Sequence, residues 1–464
     1  PPAEAAALLA RLAARPGLRA GDAAVAEITR LCGYLPLAIG MIASQLRHHP
    51  ARTTGHLAAG LAQARDRLAV MRAENLSVVA AFDLSYADLT EDQQRLFRHL
   101  GLVPGPSLDA CAAAALHHTS LDHARRLLDD LYDQHLLTEP APGRYRMHDL
   151  IRAHARTLAD RLDPGGEKDQ ATARLLDYYQ HAAALADGLL ARQPRASLSP
   201  AAGTRPAAVP ALADREQALA WVRAERASLF GCLDHATTTG QHARIITLTA
   251  GLAGLLSHDG PWAEALTRHA TALRAAHHLG DRPGQARALS DLGHARWLTD
   301  DYPGAARDLH KALGICRDLG DRLGQANALA VLGYVWRTTG DYPAAARDLQ
   351  EALGLYRDID DPGGEVEALN VAGALHRVGG DLRQAGSCHQ QALVLAREIG
   401  SAWDEAHALA GLGRCAFAAD HAAKAEDMLR QALEIFQRIG AAEAAEVSAE
   451  LQALTDTRPA VTKT

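Results

Sequence analysis

The sequence predicts a mainly all-α chain: a helical segment, then a small module of three helices and a β-hairpin, then an α-solenoid. Three observations carry this expectation. Gly293, Gly333, Gly373 and Gly413 fall one every 40 residues, each preceded by Leu or Ala. Ala305, Ala345, Ala385 and Ala425 keep the same step, as do the Ala-Leu pairs beginning at Ala312, Ala352, Ala392 and Ala432. Self-similarity at a fixed period marks a stack of identical supersecondary units, none of which buries its apolar face alone. Upstream of the repeats, Pro140-Ala141-Pro142-Gly143 separates two short runs that read as paired strands.

In residues 1–75, Leu31-Cys32-Gly33-Tyr34-Leu35-Pro36-Leu37-Ala38 leads into an apolar helix over 39–46. Pro36 suits a helix start, where its missing N–H is not needed. Residues 76–162 form the second module. Phe82-Asp83-Leu84-Ser85-Tyr86 precedes a helix over 91–99 with Thr90 as N-cap. A short helix over 109–116 follows, then a third over 121–134 capped by Ser120, then strands over 135–139 and 144–147. Three helices and a hairpin make a winged helix. It ends Met147-His148-Asp149, with Asp149 placed to cap the next helix. Residues 163–212 are a connector: Asp163-Pro164-Gly165-Gly166, an amphipathic helix over 168–190 and a Pro/Ala/Ser-rich linker over 193–211.

Residues 213–454 hold the array. A helix over 214–237, with Trp221 and Leu229 on its buried face, is expected to open it. Five units run from 241–280 to 401–440, the first degraded, and 441–454 would cap the end; 455–464 is expected to be a disordered tail. One unit consists of an A helix over 325–338, a turn at Gly340-Asp341-Tyr342-Pro343 and a B helix to about Asp358. Gly333 and Ala345 sit where the two helices would cross, and their small size allows close approach. Leu329, Leu332, Leu349 and Leu353 fill the seam.

Composition narrows the function classes. The chain is 48% hydrophobic and 22% charged, with a formal net charge of −7, which argues against a general nucleic-acid footprint. The third helix of the winged helix carries Asp122, Asp129, Asp130 and Asp133 against Arg125 and Arg126, a surface that phosphates would repel, so DNA binding by this chain is not expected. Six cysteines show no Cys-x-x-Cys spacing, so no metal site is expected, and they read as reduced residues of a cytoplasmic protein. No His-Glu-x-x-His or Gly-x-Ser-x-Gly occurs, and most of the 23 histidines read as surface residues at helix ends. No run of 18 apolar residues suggests a membrane span. The chain opens Pro1-Pro2 without an initiator methionine and is expected to be a piece of a longer protein.

The Leu-x-x-Leu-Gly, Ala and Ala-Leu pattern resembles tetratricopeptide repeats, and the 40-residue period is similar to the longer variant of kinesin light chains. In such repeats the A helices line a concave face. The resemblance therefore implies a groove with Arg287, Asn327, Glu367 and His407 in one row and Trp297, Arg337 and Arg377 in another, to bind a protein, peptide or small-molecule signal.

The order Gly-Tyr-Leu-Pro-Leu-Ala, winged helix ending Met-His-Asp, then repeats resembles the C-terminal part of a STAND-class signalling NTPase of the NB-ARC type. The actinobacterial regulators of antibiotic production are the nearest group, through the 143–150 and 220–226 segments. The resemblance implies that Pro36 packs on the adenine of a bound nucleotide, that His148 reaches the β-phosphate of ADP, and that Asp149 braces the turn. ADP or ATP with magnesium would then belong to the full-length protein only. The Gly-x-x-x-x-Gly-Lys-Ser/Thr phosphate loop occurs nowhere in these 464 residues, so tight nucleotide binding or hydrolysis is not expected of this chain alone. Tyr34 stands where the family usually has a second glycine. Upstream nucleotide-binding and effector domains, and a homo-oligomer, are the implied partners. Two functions stand at this point: the sensor part of a nucleotide-switched regulator, or a passive repeat scaffold without nucleotide control.

Overall fold

The computed structural model describes residues 1–49, 51–69, 76–190, 206–258 and 262–456. Most of the expected 193–211 linker and nearly all of the 455–464 tail lie outside these residues. The described chain divides into two compact units, Pro1–Leu185 with Ala202–Thr239, and Ala186–Ala201 with Gly240–Thr464.

The first unit begins with α1 (Pro2–Ala13), α2 (Ala23–Leu31), α3 (Pro36–His48), α4 (Thr54–Ala69) and α5 (Leu76–Ala87). Leu9, Ile28, Ile39, Ile42 and Leu46 close their core. The winged helix follows as α6 (Glu91–Leu100), β1 (Leu108–Asp109), α7 (Ala110–His117), α8 (Leu121–Asp133), β2 (Thr138–Ala141), β3 (Arg144–Arg146) and α9 (Asp149–Leu162). Thr90 and Gln93 form a reciprocal capping box at α6, and Ser120 caps α8. The hairpin gains an unexpected third strand: the sheet order is β1-β3-β2, with Leu108 opposite Tyr145. A two-residue strand carries no periodicity for sequence reasoning to detect.

Two further helices belong to this unit, the first in all but its C-terminal end: α10 (Glu167–Leu190) and α11 (Arg215–Thr238). The second corrects the expectation that 214–237 opens the array. Ser228 Oγ donates to the Ser107 carbonyl at 2.7 Å. A Cβ on Gly105 would stand 2.6 Å from the Ser228 Cα, and one on Gly231 2.8 Å from the Pro104 carbonyl oxygen, so paired glycines let α11 lie directly on the 104–107 loop.

The second unit is the array: α12 (His242–Gly251), α13 (Ala253–His258), α14 (Trp262–Leu279), α15 (Arg282–Trp297), α16 (Tyr302–Leu319), α17 (Arg322–Thr339), α18 (Tyr342–Asp358), α19 (Pro362–Val378), α20 (Leu382–Glu398), α21 (Ala402–Ala418), α22 (Ala422–Arg438) and α23 (Glu443–Asp456). The A helix of the degraded first unit is broken into α12 and α13. The turns follow from two residues. Gly280, Gly320, Gly340, Gly380, Gly400 and Gly440 take the left-handed conformation that ends a helix, and Asp300, Asp360 and Asp420 take it where glycine is missing. The next residue caps the following helix: Asp281, Asp301, Asp321, Asp341, Asp361 and Asp381 each accept a backbone N–H three residues on.

Within each repeat the periodic glycine receives one side chain of the B helix. A Cβ at Gly293, Gly333, Gly373 or Gly413 would press into Leu309, Leu349, His389 or Leu429. His389 thus occupies a leucine position and is buried, as are His99, His117 and His269, four exceptions to the surface placement expected of most histidines.

Candidate functional site

The first candidate is the end of the wing. Arg144, in β3, donates two hydrogen bonds to Glu225 of α11, one of them at 3.3 Å, and another to Ser107 Oγ at 2.8 Å. The Tyr179 hydroxyl donates to Glu225 Oε2 at 3.1 Å. Glu225 is 1% exposed, and burial raises its pKa against the opposing pull of Arg144. On the other side Tyr145 donates to Asp129 Oδ1 of α8 at 2.6 Å. The strand leading to Met147-His148 is therefore held from both faces.

His148 itself is exposed. It corrects the assignment of Asp149 as cap: His148 is the N-cap of α9 and Asp149 its first helical residue. The backbone explains the shift, since His148 has extended dihedrals (φ −62°, ψ 144°) and its carbonyl already accepts from Arg152 N at 2.8 Å. The His148 Nδ1 accepts the Leu150 N–H at 3.3 Å. In the neutral ring that arrangement puts the proton on Nε2, which is left as a donor. Asp149 keeps a favourable place as an acidic residue in the first turn.

Pro36 is exposed at the first position of α3. Tyr34 and Leu35 before it are each 41% exposed. Gly33 and Tyr34 both adopt positive φ, +63° and +58°. Position 34 thus demands the conformation that glycine adopts freely, and tyrosine holds it at a cost of roughly 1 to 2 kcal/mol.

The second candidate is the face of the array on which successive A helices meet one another, the face that the resemblance makes concave. It holds a cavity of about 800 Å³ lined by Trp297, Arg337, Glu367, Arg377 and His407, five of the seven residues expected there, together with Tyr334, Asn370, Trp403, Arg414 and Phe417. Arg287 and Asn327 are not among its walls. Arg287 is turned to Asp187 Oδ2 (3.4 Å) and the Ala250 carbonyl (3.4 Å), and Asn327 accepts from the Tyr356 hydroxyl at 2.8 Å, so structural partners claim both. Trp403 and Phe417 were missed; the 40-residue step from Arg377 leads to Phe417 and could have found it.

The walls divide by chemistry. Glu367 accepts from the Tyr334 hydroxyl at 3.0 Å, and Arg414 is clasped by Glu446 and Glu450 of α23. The side chains of Arg337 and Arg377 make no hydrogen bond or ion pair among the described residues, and the Arg337 Nε is buried without a partner. No group of three or more His, Cys, Asp or Glu among the described residues could hold a metal ion. No helix among them is long and apolar enough to cross a membrane.

The tetratricopeptide-repeat family matches residues 244–318 and 365–438. The chain is 34% identical over 319 residues to the regulatory protein AfsR of Streptomyces griseus, an alignment covering 68% of this chain and 32% of that protein. It is 37% identical over 253 residues to AfsR of Streptomyces coelicolor, covering 53% and 25%. The aligned part spans about a third or less of these relatives. Among solved structures, a STAND protein with a tetratricopeptide-repeat sensor from Pyrococcus horikoshii superposes with a TM-score of 0.52 at 15% identity, covering 99% of this chain and 64% of that one, a likeness of fold.

Proposed function

We propose that this homologue of AfsR regulators is the sensor part of a nucleotide-controlled switch, in which the repeats receive a signal or partner and the wing locks ADP in the longer protein. The observation that carries this reading is the state of His148: exposed, fixed at a helix start, with Nδ1 occupied by the Leu150 N–H and Nε2 left to donate. A ring so oriented fits a phosphate oxygen. Pro36, exposed at the start of α3, offers a flat apolar face of the kind a purine stacks on. ADP, when bound, would supply the negative charge that ties the wing to an upstream nucleotide domain. This chain's own residues do the holding: Arg144 and Tyr145 fix the strand, and His148 donates the bond. A ligand in the array that favours the unlocked arrangement would shift the balance only by its difference in affinity for the two states.

The test is nucleotide content. The protein extended through its upstream sequence is purified, denatured and chromatographed, beside His148→Ala. About one ADP per chain in the first and a severalfold loss in the second is expected. No nucleotide in either protein overturns the switch.

A further inference from the structure

The rows of the concave face carry a pattern that single residues do not. Four successive A helices present, at one equivalent position 40 residues apart, Trp297, Arg337, Arg377 and Phe417. Two cations are flanked by an aromatic ring at each end. Arg337 and Arg377 are the wall's cations without a side-chain partner among the described residues: Glu446 and Glu450 hold Arg414, and Glu367 and Asp404 accept from the Tyr334 and Ser401 hydroxyls. Trp297 packs on Tyr334 with ring centroids 5.4 Å apart, and Phe417 is 56% exposed within the cavity.

The spacing selects a conformation of the ligand. Neighbouring packed helices lie roughly 8 to 10 Å apart. An extended polyproline-type strand rises about 3.1 Å per residue with three residues per turn, so residues i and i+3 fall on one side about 9 Å apart. Such a strand crossing the A helices meets each successive position of the row with every third side chain.

We propose that the array binds an extended acidic peptide, with carboxylates at i and i+3 against Arg337 and Arg377 and apolar side chains at i−3 and i+6 against Trp297 and Phe417. The inference rests on the reading of the array as a binding face and names what it binds. The chain's own segments 191–205 and 457–464 contain arginine or lysine and no acidic residue, so neither has the chemistry of such an occupant.

The experiment is fluorescence anisotropy on the whole chain with a labelled twelve-residue peptide. The peptide carries leucine at its first and tenth positions, aspartate at its fourth and seventh, and proline, serine and glutamine elsewhere. One comparison peptide has asparagine in place of both aspartates, and another has its second aspartate moved one position closer to the first. The aspartate peptide is expected to bind about tenfold more tightly than the asparagine peptide, and severalfold more tightly than the shifted one. Arg337→Gln with Arg377→Gln should erase the difference between aspartate and asparagine peptides while leaving the circular dichroism spectrum unchanged. Phe417→Ser should weaken both peptides alike. Equal binding of the aspartate and asparagine peptides, no binding of the aspartate peptide, or discrimination that survives in the double variant overturns the proposal. Equal binding would still leave the array a binding face, and the ADP measurement stands or falls independently of it.

Discussion

His389 shows how one residue sets a property of the array. It stands where Leu309, Leu349 and Leu429 stand in sister repeats, and its ring fills the hollow under Gly373, whose Cβ would meet it at 2.6 Å. Its Nδ1–H donates to Asn370 Oδ1 at 3.2 Å, and its Nε2 is buried without a partner. Burial first, and then neighbouring positive charge, depresses its pKa to about 4. The folded chain therefore refuses a proton that the unfolded chain takes up near 6.5. Stability from the neutral ring is fully present above pH 6.5 and is lost as pH falls through the window to 4. At pH 5 the loss is about 2 kcal/mol for a pKa held at about 4. His389→Leu should flatten this slope, so that the urea midpoint of the array at pH 5 approaches its value at pH 7; a variant that keeps the wild-type slope would exclude His389 as its source. The leucine-to-histidine change is visible in the sequence against the repeat, whereas its burial and the field of Arg377 and Arg414 come from three different helices and are not.

At the scale of the element, glycine has two opposite meanings along one array. Gly333 of α17 faces Leu349, whose Cγ would lie 2.6 Å from an added Cβ. Alanine there gains up to about 1 kcal/mol of helix propensity and loses roughly 1 to 3 kcal/mol to overpacking. Gly333→Ala is expected to destabilise the array by about 1 to 2 kcal/mol. Gly354 of α18 is exposed and meets nothing within 4 Å, so Gly354→Ala should stabilise by about 0.5 to 1 kcal/mol. Urea unfolding of the two variants checks the signs, and a gain at Gly333 would contradict the close helix crossing. The helices, caps and turns were legible because one signal recurs six times: a left-handed residue, then Asp, then the helix. The winged helix was legible through Thr90, Ser120 and the Pro-Ala-Pro-Gly turn. The third strand and the place of α11 were not, because both depend on tertiary contacts of Ser107, Gly105 and Gly231 that leave no periodic trace.

For the whole molecule, an open stack of repeats exposes an apolar end face, and α23 packs on that of α22. Val447 and Leu454 of this helix share a buried cluster with Leu429 and Phe436, while its Glu446 and Glu450 hold Arg414. Deleting residues 443–456 uncovers Phe436 and removes two buried apolar side chains, a loss of roughly 3 to 6 kcal/mol. The shortened chain is expected to melt at a lower temperature and to associate with rising concentration, read by light scattering. A shortened chain that stays monomeric and melts unchanged would show that α23 is no cap. At this scale the division of information is physical. The order of modules, the solenoid, its period and the row of Trp297, Arg337 and Arg377 are properties of spacing along the chain, and spacing is what a sequence states. Whether an arginine on that row is free or claimed depends on which side chains reach it across helices. Only the tertiary structure decided that Arg287 turns to Asp187, that Arg414 is clasped by the terminal helix, that His148 and not Asp149 caps α9, and that Arg337 and Arg377 remain uncommitted in the cavity.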